Sequence, residues 1–307
     1  MHIAQLETKH LGQILQHLSL EECIAVRPVC RQWKATVESI AKALTTLKIV
    51  VTSSTTENTY TDTDYQNQLA WFGLDKDAYL NRATNHRNSL ILFTNKKNQI
   101  LDSSVLFRLL PSVTHLIVHF CGYRQKQPQP LSDCHLLCSL LENPVWSAQL
   151  VALSLVGPIR PLNSSGVSPQ LECVRLASAI NSLVSLRRLD ALLTSLCPLP
   201  LGRMRRALVR LEHLCLFAYP GDAALALGRL GSPIRRLHLQ THCPLNTRLL
   251  LGELAPALIF SAHLRNGLTQ LTIRRLATVQ ILPFITGHFR YLRTLHLHFD
   301  PTVKVGR

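Results

Sequence analysis

A short apolar phrase of the form Leu-x-x-Leu-x-Leu, or a close variant of it, recurs seven times along this chain. Successive copies begin 37, 36, 25, 23, 34 and 24 residues apart. Recurrence at such intervals is typical of solenoids, in which each unit buries its apolar side only against its neighbours. The copies span residues 113–118, 150–155, 186–191, 211–216, 234–239, 268–273 and 292–297. A repeat array of this kind typically presents a binding surface rather than a catalytic pocket.

Within each phrase the apolar residues alternate as they do on a β-strand that has one buried face. The phrase is similar to that of leucine-rich repeats. This resemblance implies a horseshoe-shaped α/β solenoid with a parallel sheet on its concave face and helices on its convex face. Further strands are predicted at residues 44–51 and 90–93, and helices at 100–110, 170–183, 222–230, 245–263 and 279–289. Residues 171–176 also fit the phrase but lie too close to the next copy for a repeat, and are predicted to be helical.

The segment before the repeats predicts three short helices. The first carries an apolar stripe that includes Leu11, Ile14 and Leu15 at helical spacing. Ser19 followed by Glu22 forms a possible capping box for the second helix. Pro28 suits the first turn of a third. So few residues cannot bury much surface alone, so the unit is expected to fold against something else.

Residues 4–42 resemble an F-box, chiefly through Val29-Cys30-Arg31-Gln32-Trp33 and the apolar residues ahead of it. In that family the motif docks a SKP-type adaptor of a cullin-RING ubiquitin ligase, and leucine-rich repeats that follow it capture the substrate. The resemblance assigns adaptor contacts to Leu6, Ile14, Leu15, Leu18, Val29 and Trp33. Two places depart from the family pattern. Glu7 follows Leu6 where proline is usual, and Arg27-Pro28 stands where an apolar residue is common.

Two domains follow from these patterns. An F-box-like helical domain covers residues 1–43, and a leucine-rich-repeat solenoid covers residues 44–307. Within the solenoid, residues 52–68 are rich in Thr, Ser, Asn and Asp and are predicted to form an exposed loop. Alternatively, the N-terminal helices form a cap that shields the open end of the solenoid, because terminal repeats generally require such a cap.

The residues between the leucines are expected to project from the concave face in three columns. The first is His115, Ala152, Arg188, His213, Arg236, Gln270 and Thr294; the second is Ile117, Ser154, Asp190, Cys215, His238, Thr272 and His296; the third is His119, Val156, Leu192, Phe217, Gln240, Arg274 and His298. These columns hold six histidines and three arginines against one carboxylate, Asp190. The charged and histidine members are therefore the predicted substrate contacts, and they favour a protein partner with acidic or phosphorylated groups.

Composition narrows the class of protein. The formal net charge of +15 also favours an acidic partner, but no run of five basic residues indicates a nucleic-acid tail. No segment reads as a membrane span or a secretory signal. The nine cysteines include no Cys-x-x-Cys pair, which favours reduced thiols and a cytoplasmic or nuclear location.

No motif for catalysis or for cofactor binding is present, so the sequence predicts a non-catalytic protein without a cofactor. His296-x-His298 has metal-ligand spacing but lacks further ligands, and no metal site is predicted. The leading hypothesis is the substrate-recognition subunit of an SCF-type ubiquitin ligase. Two alternatives remain: an interaction scaffold without a ligase link, and a basic nucleic-acid-associated protein. The latter is disfavoured because only Phe217 offers an aromatic ring on the predicted columns.

Overall fold

The computed structural model describes residues 34–36, 38–39, 45–52, 89–95, 110–121, 133–158, 169–194, 199–231, 234–278, 280 and 282–300. The chain divides into two compact units, residues 1–126 and residues 127–307. Each is an α/β arrangement with parallel strands in its described part. The predicted boundary between residues 43 and 44 stays a prediction, because nearly all of the first 43 residues lie outside the described part.

Unit 1 contains three described strands, β1 (Thr46–Thr52), β2 (Ser89–Asn95) and β3 (His115–Cys121). Strand β1 lies in the middle and pairs in parallel with both of the others. The order β2-β1-β3 differs from the chain order, because the second strand lies outside the first. Residues 34–36 and 38–39 are helical, within the predicted third N-terminal helix.

Unit 2 has six described strands, and each pairs in parallel with the next one along the chain. They are β4 (Ala152–Pro158), β5 (Arg188–Thr194), β6 (His213–Ala218), β7 (Arg236–Leu245), β8 (Gln270–Leu276) and β9 (Thr294–Phe299). Strand order therefore equals chain order here, as expected for an array of stacked repeats. Every strand begins at the third residue of its phrase.

Helical segments precede or connect these strands. They are α1 (Asp133–Leu141), α2 (Pro144–Gln149), α3 (Pro169–Asn181), a 3-10 turn (Leu201–Arg203), α4 (Arg205–Leu208), α5 (Pro220–Leu227), α6 (Thr247–Leu249), a π-helical turn (Leu250–Leu254), α7 (Ala255–Phe260), α8 (Ala262–Gly267) and α9 (Leu282–His288). Three have side-chain N-caps that explain where they begin, and one of these, Ser261 before α8, is described below. Asn143 accepts from the N–H groups of Val145 and Trp146 before α2, and Asn246 accepts from that of Leu249 before α6.

One backbone hydrogen-bond pattern joins successive phrases. The carbonyl of the second phrase residue accepts from the N–H groups of the second and third residues of the next phrase in the array. Glu212 and His213 donate in this way to the carbonyl of Arg187, at 2.8 and 3.1 Å. The same pair recurs at the carbonyls of Val151, Glu212, Arg235 and Thr269, and in unit 1 at Thr45. Since the two N–H groups are backbone donors, the side chains at these positions are free to vary, although the hydroxyls of Thr114 and Thr269 also bond to the shared carbonyl.

The leucine positions of the phrase form the core. In the first six phrases the first, fourth and sixth residues are at most 4% exposed. Their side chains pack beneath the sheet, where each buried leucine contributes roughly 1.5–3 kcal/mol of hydrophobic stabilisation. The last phrase differs, because Leu292, Leu295 and Leu297 are only partly buried.

The expected α/β fold with parallel strands is confirmed, and so are the strands predicted at the seven phrases, at 44–51 and at 90–93. Helices α3, α5 and α9 fall within a few residues of their predicted ranges. The single helix predicted over 245–263 is wrong: Leu245 ends β7, a π-helical turn interrupts the helical stretch, and Ser261 breaks it. Ser261 has extended backbone and caps α8 through its hydroxyl, which accepts from the N–H of Leu264. The loop predicted at 52–68 lies outside the described residues beyond Thr52, and the helix predicted at 100–110 lies outside them before Leu110.

Removing an inward leucine should destabilise the repeat array far more than removing an exposed one. Leu237 is 1% exposed in β7, whereas Leu225 is 44% exposed on α5. Leu237→Ala should lower the free energy of unfolding by about 2–5 kcal/mol, because it loses burial and leaves a cavity. Leu225→Ala should change it by about 0.5 kcal/mol. Urea denaturation of both variants measures the difference, and equal losses would contradict the assignment of the phrase leucines to the core.

Candidate functional site

The predicted columns are in register within unit 2. The strand pairings align Ala152, Arg188, His213, Arg236, Gln270 and Thr294 in one column and Ser154, Asp190, Cys215, His238, Thr272 and His296 in the next. In the third column, Phe217, Gln240, Arg274 and His298 are aligned. We call the sheet surface that carries these three columns in unit 2 the polar face.

The polar face is not uniformly accessible, contrary to the sequence-based expectation. In the third column Val156, Leu192, Phe217 and Gln240 are buried, and so are most residues of the second. The reason is that the carboxyl ends of β4 to β7 are covered on both faces, so consecutive residues there are buried, as in Leu155 and Val156. Accessible side chains are concentrated at the amino ends of the strands and on β9, where His296 and His298 are exposed.

Two predicted substrate contacts lie in unit 1. His115 is exposed at the start of β3, whereas His119 is completely buried near its end. The expectation that His119 faces a partner is therefore wrong. Val118 and Phe120 on either side of it are also fully buried, so both faces of β3 are covered at this end.

Asp190, predicted to face a partner, is instead buried and surrounded by donors. Ser154 donates its hydroxyl proton to Asp190 Oδ2 at 2.6 Å, and Arg188 contacts the same oxygen through Nε at 3.0 Å and Nη2 at 2.8 Å. The side chain of Arg188, from the same strand, covers the carboxylate. The three residues form a satisfied polar cluster, so Arg188 is committed to a neighbour and its charge is largely compensated.

His238 and Gln240 are polar residues on β7 that point to the same face. His238 Nε2 and Gln240 Oε1 are buried and have no hydrogen-bond partner among the described residues. Burial, followed by the nearby charge of Arg274, lowers the pKa of His238 to about 4. His238 is therefore neutral at physiological pH, and it adds no positive charge to the polar face.

The buried part of the polar face offers hydrogen bonding but not nucleophilic chemistry. Burial raises the pKa of the Cys215 thiol well above its ordinary value, which disfavours the reactive thiolate. His296 and His298 stack loosely, with ring centroids 6.4 Å apart. Among the described residues no group of three or more His, Cys, Asp or Glu side chains is arranged to hold a metal ion.

A β-bulge in β8 separates Arg274 from the next arginine. The register with both neighbouring strands shifts between Arg274 and Leu276, and Arg275 at the bulge has a left-handed backbone with φ 61°. Such a conformation costs a residue other than glycine about 1 kcal/mol or more. Arg275 holds it by donating to Asp300 Oδ2 at 3.0 Å and to the His242 carbonyl at 2.5 Å. Arg275 is thus bonded to its neighbours at the bulge, whereas Arg274, adjacent in sequence, belongs to the third column of the polar face.

At the amino ends of the later strands the structure contains an open cleft of about 760 Å³. Among the residues that line it are Arg235, Arg236, Arg290, Arg293, His213 and Tyr291. Of these residues only His213 and Arg236 belong to the columns predicted from the sequence. Arg235 and Arg293 are second residues of their phrases, just before the strand, so a comparison of the second positions would have found them. Arg290 and Tyr291 precede the last phrase, and no repeat pattern identifies them.

The predicted adaptor contacts Leu6, Ile14, Leu15, Leu18, Val29 and Trp33 all lie outside the described residues, so these assignments stay predictions. No family model matches the chain, and no curated protein matches it in sequence. In the described part of the chain no helix is long and apolar enough to cross a membrane.

Breaking the buried ion pair should cost more stability than breaking an exposed one. Asp190→Asn removes the charge that compensates the partly buried Arg188 and should lower the free energy of unfolding by about 2–3 kcal/mol. The control is Glu142→Gln, which breaks a two-pronged pair with Arg175 whose side chains are 43% and 49% exposed. That change should cost under about 1 kcal/mol. Chemical denaturation at pH 7 compares them, and an equal cost would contradict the structural role of Asp190.

Acidification should destabilise the chain partly through His238. The pKa of His238 is about 4 in the folded chain, against the ordinary value of 6.5 that applies in the unfolded chain. Between pH 4 and pH 6.5 the unfolded chain therefore binds a proton at His238 that the folded chain does not bind. The stability it contributes is complete above pH 6.5 and is lost as the pH falls through 4. His238→Gln should therefore remove about 2–3 kcal/mol of the pH dependence of unfolding between pH 7 and pH 4.

The neighbouring variant Thr272→Ser changes the same column without changing a titratable group, and it should keep the pH dependence of the parent chain. Urea denaturation at several pH values measures all three proteins. An unchanged slope in His238→Gln would show that this imidazole is not buried in its neutral form.

Proposed function

We propose that this protein is a non-catalytic substrate receptor of an SCF-type, cullin-RING ubiquitin ligase. In this proposal residues 1–43 are an F-box-like head that docks a SKP-type adaptor, and the remainder is a leucine-rich-repeat solenoid that binds a protein target. Ubiquitin transfer is performed by other subunits, and the receptor contributes by holding the target close to them.

The observation that carries the proposal is the regular relation between phrase and strand. Six consecutive phrases in unit 2 each begin a strand at their third residue, and the strands lie in register in chain order. This regularity favours a leucine-rich-repeat solenoid, in which side chains from successive repeats form one continuous binding surface. The F-box-like motif ahead of the repeats gives this binding surface a specific purpose.

The charge distribution favours an acidic or phosphorylated protein target. Arg236, His296 and His298 are exposed on the polar face, and Arg274 is partly exposed. Asp190, the one carboxylate of that face, is already bonded to Ser154 and Arg188 and does not reduce the positive charge near Arg236. Arginine suits such a target, because its planar fork matches the oxygens of carboxylate and phosphate.

The adaptor contact is tested with the full-length chain. We expect the purified chain to bind a purified SKP-type adaptor and the variant Ile14→Asp/Leu15→Asp to lose about tenfold or more in affinity, because charges would enter an apolar interface. A matched control is Gln13→Asp/Gln16→Asp, which adds the same charge at positions that helical spacing puts opposite the apolar stripe. Biolayer interferometry measures the affinities, and circular dichroism checks that each variant is folded.

Failure of the parent chain to bind the adaptor would reject the ligase assignment. A protein-interaction scaffold without a ligase link, whose N-terminal helices cap the repeats, would then be the better description. Equal losses in the two double variants would show that added negative charge, rather than the apolar stripe, controls the interaction.

A further inference from the structure

We propose that the cleft at the amino ends of the strands is a phosphoryl-binding site, which recognises a phosphorylated side chain in an extended segment of a protein target. The inference names the substrate class for the receptor proposed above and partly rests on that function. The cleft is confined to unit 2 and is formed by the amino ends of β6 to β9 and the segments that lead into β8 and β9.

The cleft has a strongly positive lining. Arg235, Arg236, Arg290 and Arg293 contribute guanidinium groups, and no Asp or Glu is among the described residues that line the cleft. Arg235 makes only a long contact of 3.9 Å with Glu212, and its side chain is 69% exposed. Within the described part of the chain the other three arginines have no ion-pair partner. These cations are therefore available to a ligand.

The geometry of the sheet brings the arginines together around one opening. Arg235 and Arg293 occupy the same phrase position just before β7 and β9, and Thr269 holds that position just before β8 between them. With strands about 4.8 Å apart, their backbones lie roughly 10 Å from each other. Flexible arginine side chains on both sides of such a gap can donate together to one phosphate, whose three terminal oxygens accept several N–H groups.

The positive field also affects the neighbouring imidazole. Burial, then the charges of Arg236 and Arg188, lower the pKa of His213. Glu212 and Asp190 act in the opposite direction but more weakly. A phosphate dianion in the cleft would offset the arginine charges that disfavour protonation of His213.

A phosphorylated protein segment fits the cleft better than a nucleic acid. The volume of about 760 Å³ suits a small group with a few flanking atoms. Among the described lining residues Tyr291, which is 59% exposed, is the single Phe, Trp or Tyr, whereas platforms for single-stranded nucleic acid use several such rings. The cleft also shares His213 and Arg236 with the first column of the polar face, so a segment could extend from the cleft onto the sheet.

The test is fluorescence anisotropy of the full-length chain with a labelled degenerate peptide library that contains one fixed phosphoserine. The same library with serine or glutamate at that position serves for comparison. We expect the phosphorylated library to bind about tenfold or more tightly than the serine library, with the glutamate library between them. Unlabelled inorganic phosphate should compete, but only at much higher concentration than the phosphorylated library, because it lacks the flanking peptide.

Variants locate the binding. Arg235→Gln/Arg290→Gln/Arg293→Gln should remove the preference for phosphoserine. The control Arg203→Gln/Arg205→Gln/Arg248→Gln removes the same charge from exposed arginines outside the lining and should keep the preference. Arg293→Lys keeps the charge but lacks the planar fork, and it should weaken phosphoserine binding with the fold intact by about tenfold.

Three results would overturn the proposal. Equal binding of the phosphoserine and serine libraries would exclude phosphoryl recognition. Equal losses of phosphoserine preference in the cleft and control triple variants would show that the overall charge of the chain, rather than the cleft, controls binding. Competition by single-stranded RNA at lower concentration than the phosphorylated library would assign the cleft to nucleic acid, and competition by inorganic phosphate at equal concentration would assign it to a free phosphate. Adaptor binding is measured separately, so failure of this inference is distinguishable from failure of the ligase assignment.

Discussion

The shared backbone carbonyl at the start of each strand is the constraint on which the rest of the array depends. It accepts two N–H groups from the next phrase, and so fixes the register of each strand against the one before it. A slip of one residue would exchange the leucine positions with the polar columns and put the core side chains on the other face. Because backbone groups make this pattern at every repeat, the second phrase position can be arginine, glutamate or threonine without loss of register, as at Arg187, Glu212 and Thr269.

The strands could be predicted from sequence because the apolar residues at the first, fourth and sixth phrase positions lie on one side of the strand and are buried in all phrases but the last. Accessibility of the columns could not be predicted in the same way. The alternation of residues in Leu155-Val156 or Leu239-Gln240 predicts which face of the sheet each side chain lies on. It does not predict whether other parts of the chain cover that face. Asp190 illustrates this limit, since its burial depends on Arg188 and on Ser154, which lies 36 residues earlier in the chain.

The helices and the cleft show two other limits of sequence reasoning. The many apolar residues over 245–263 predicted one helix and hid a break at Ser261, because a single capping serine outweighs helical periodicity at the point where its hydroxyl replaces a backbone acceptor. Arg290 and Tyr291 belong to no phrase, and they meet Arg235 and Arg236 only because β7, β8 and β9 stack in order. A site assembled from the edges of several repeats has no continuous motif in the sequence.

The strand order of unit 1 has a consequence for how the chain reaches its native state. Thr114 bonds to the carbonyl of Thr45 across 69 residues, whereas the corresponding bonds between neighbouring phrases in unit 2 span 23 to 36 residues. The added loop-closure entropy amounts to roughly 1 kcal/mol, which is a small fraction of the stability of a domain. The longer loop in unit 1 instead affects the order in which the strands pair during folding. The contacts of unit 2 are more local and favour fast pairing, whereas β1 must close a longer loop before it pairs with β3.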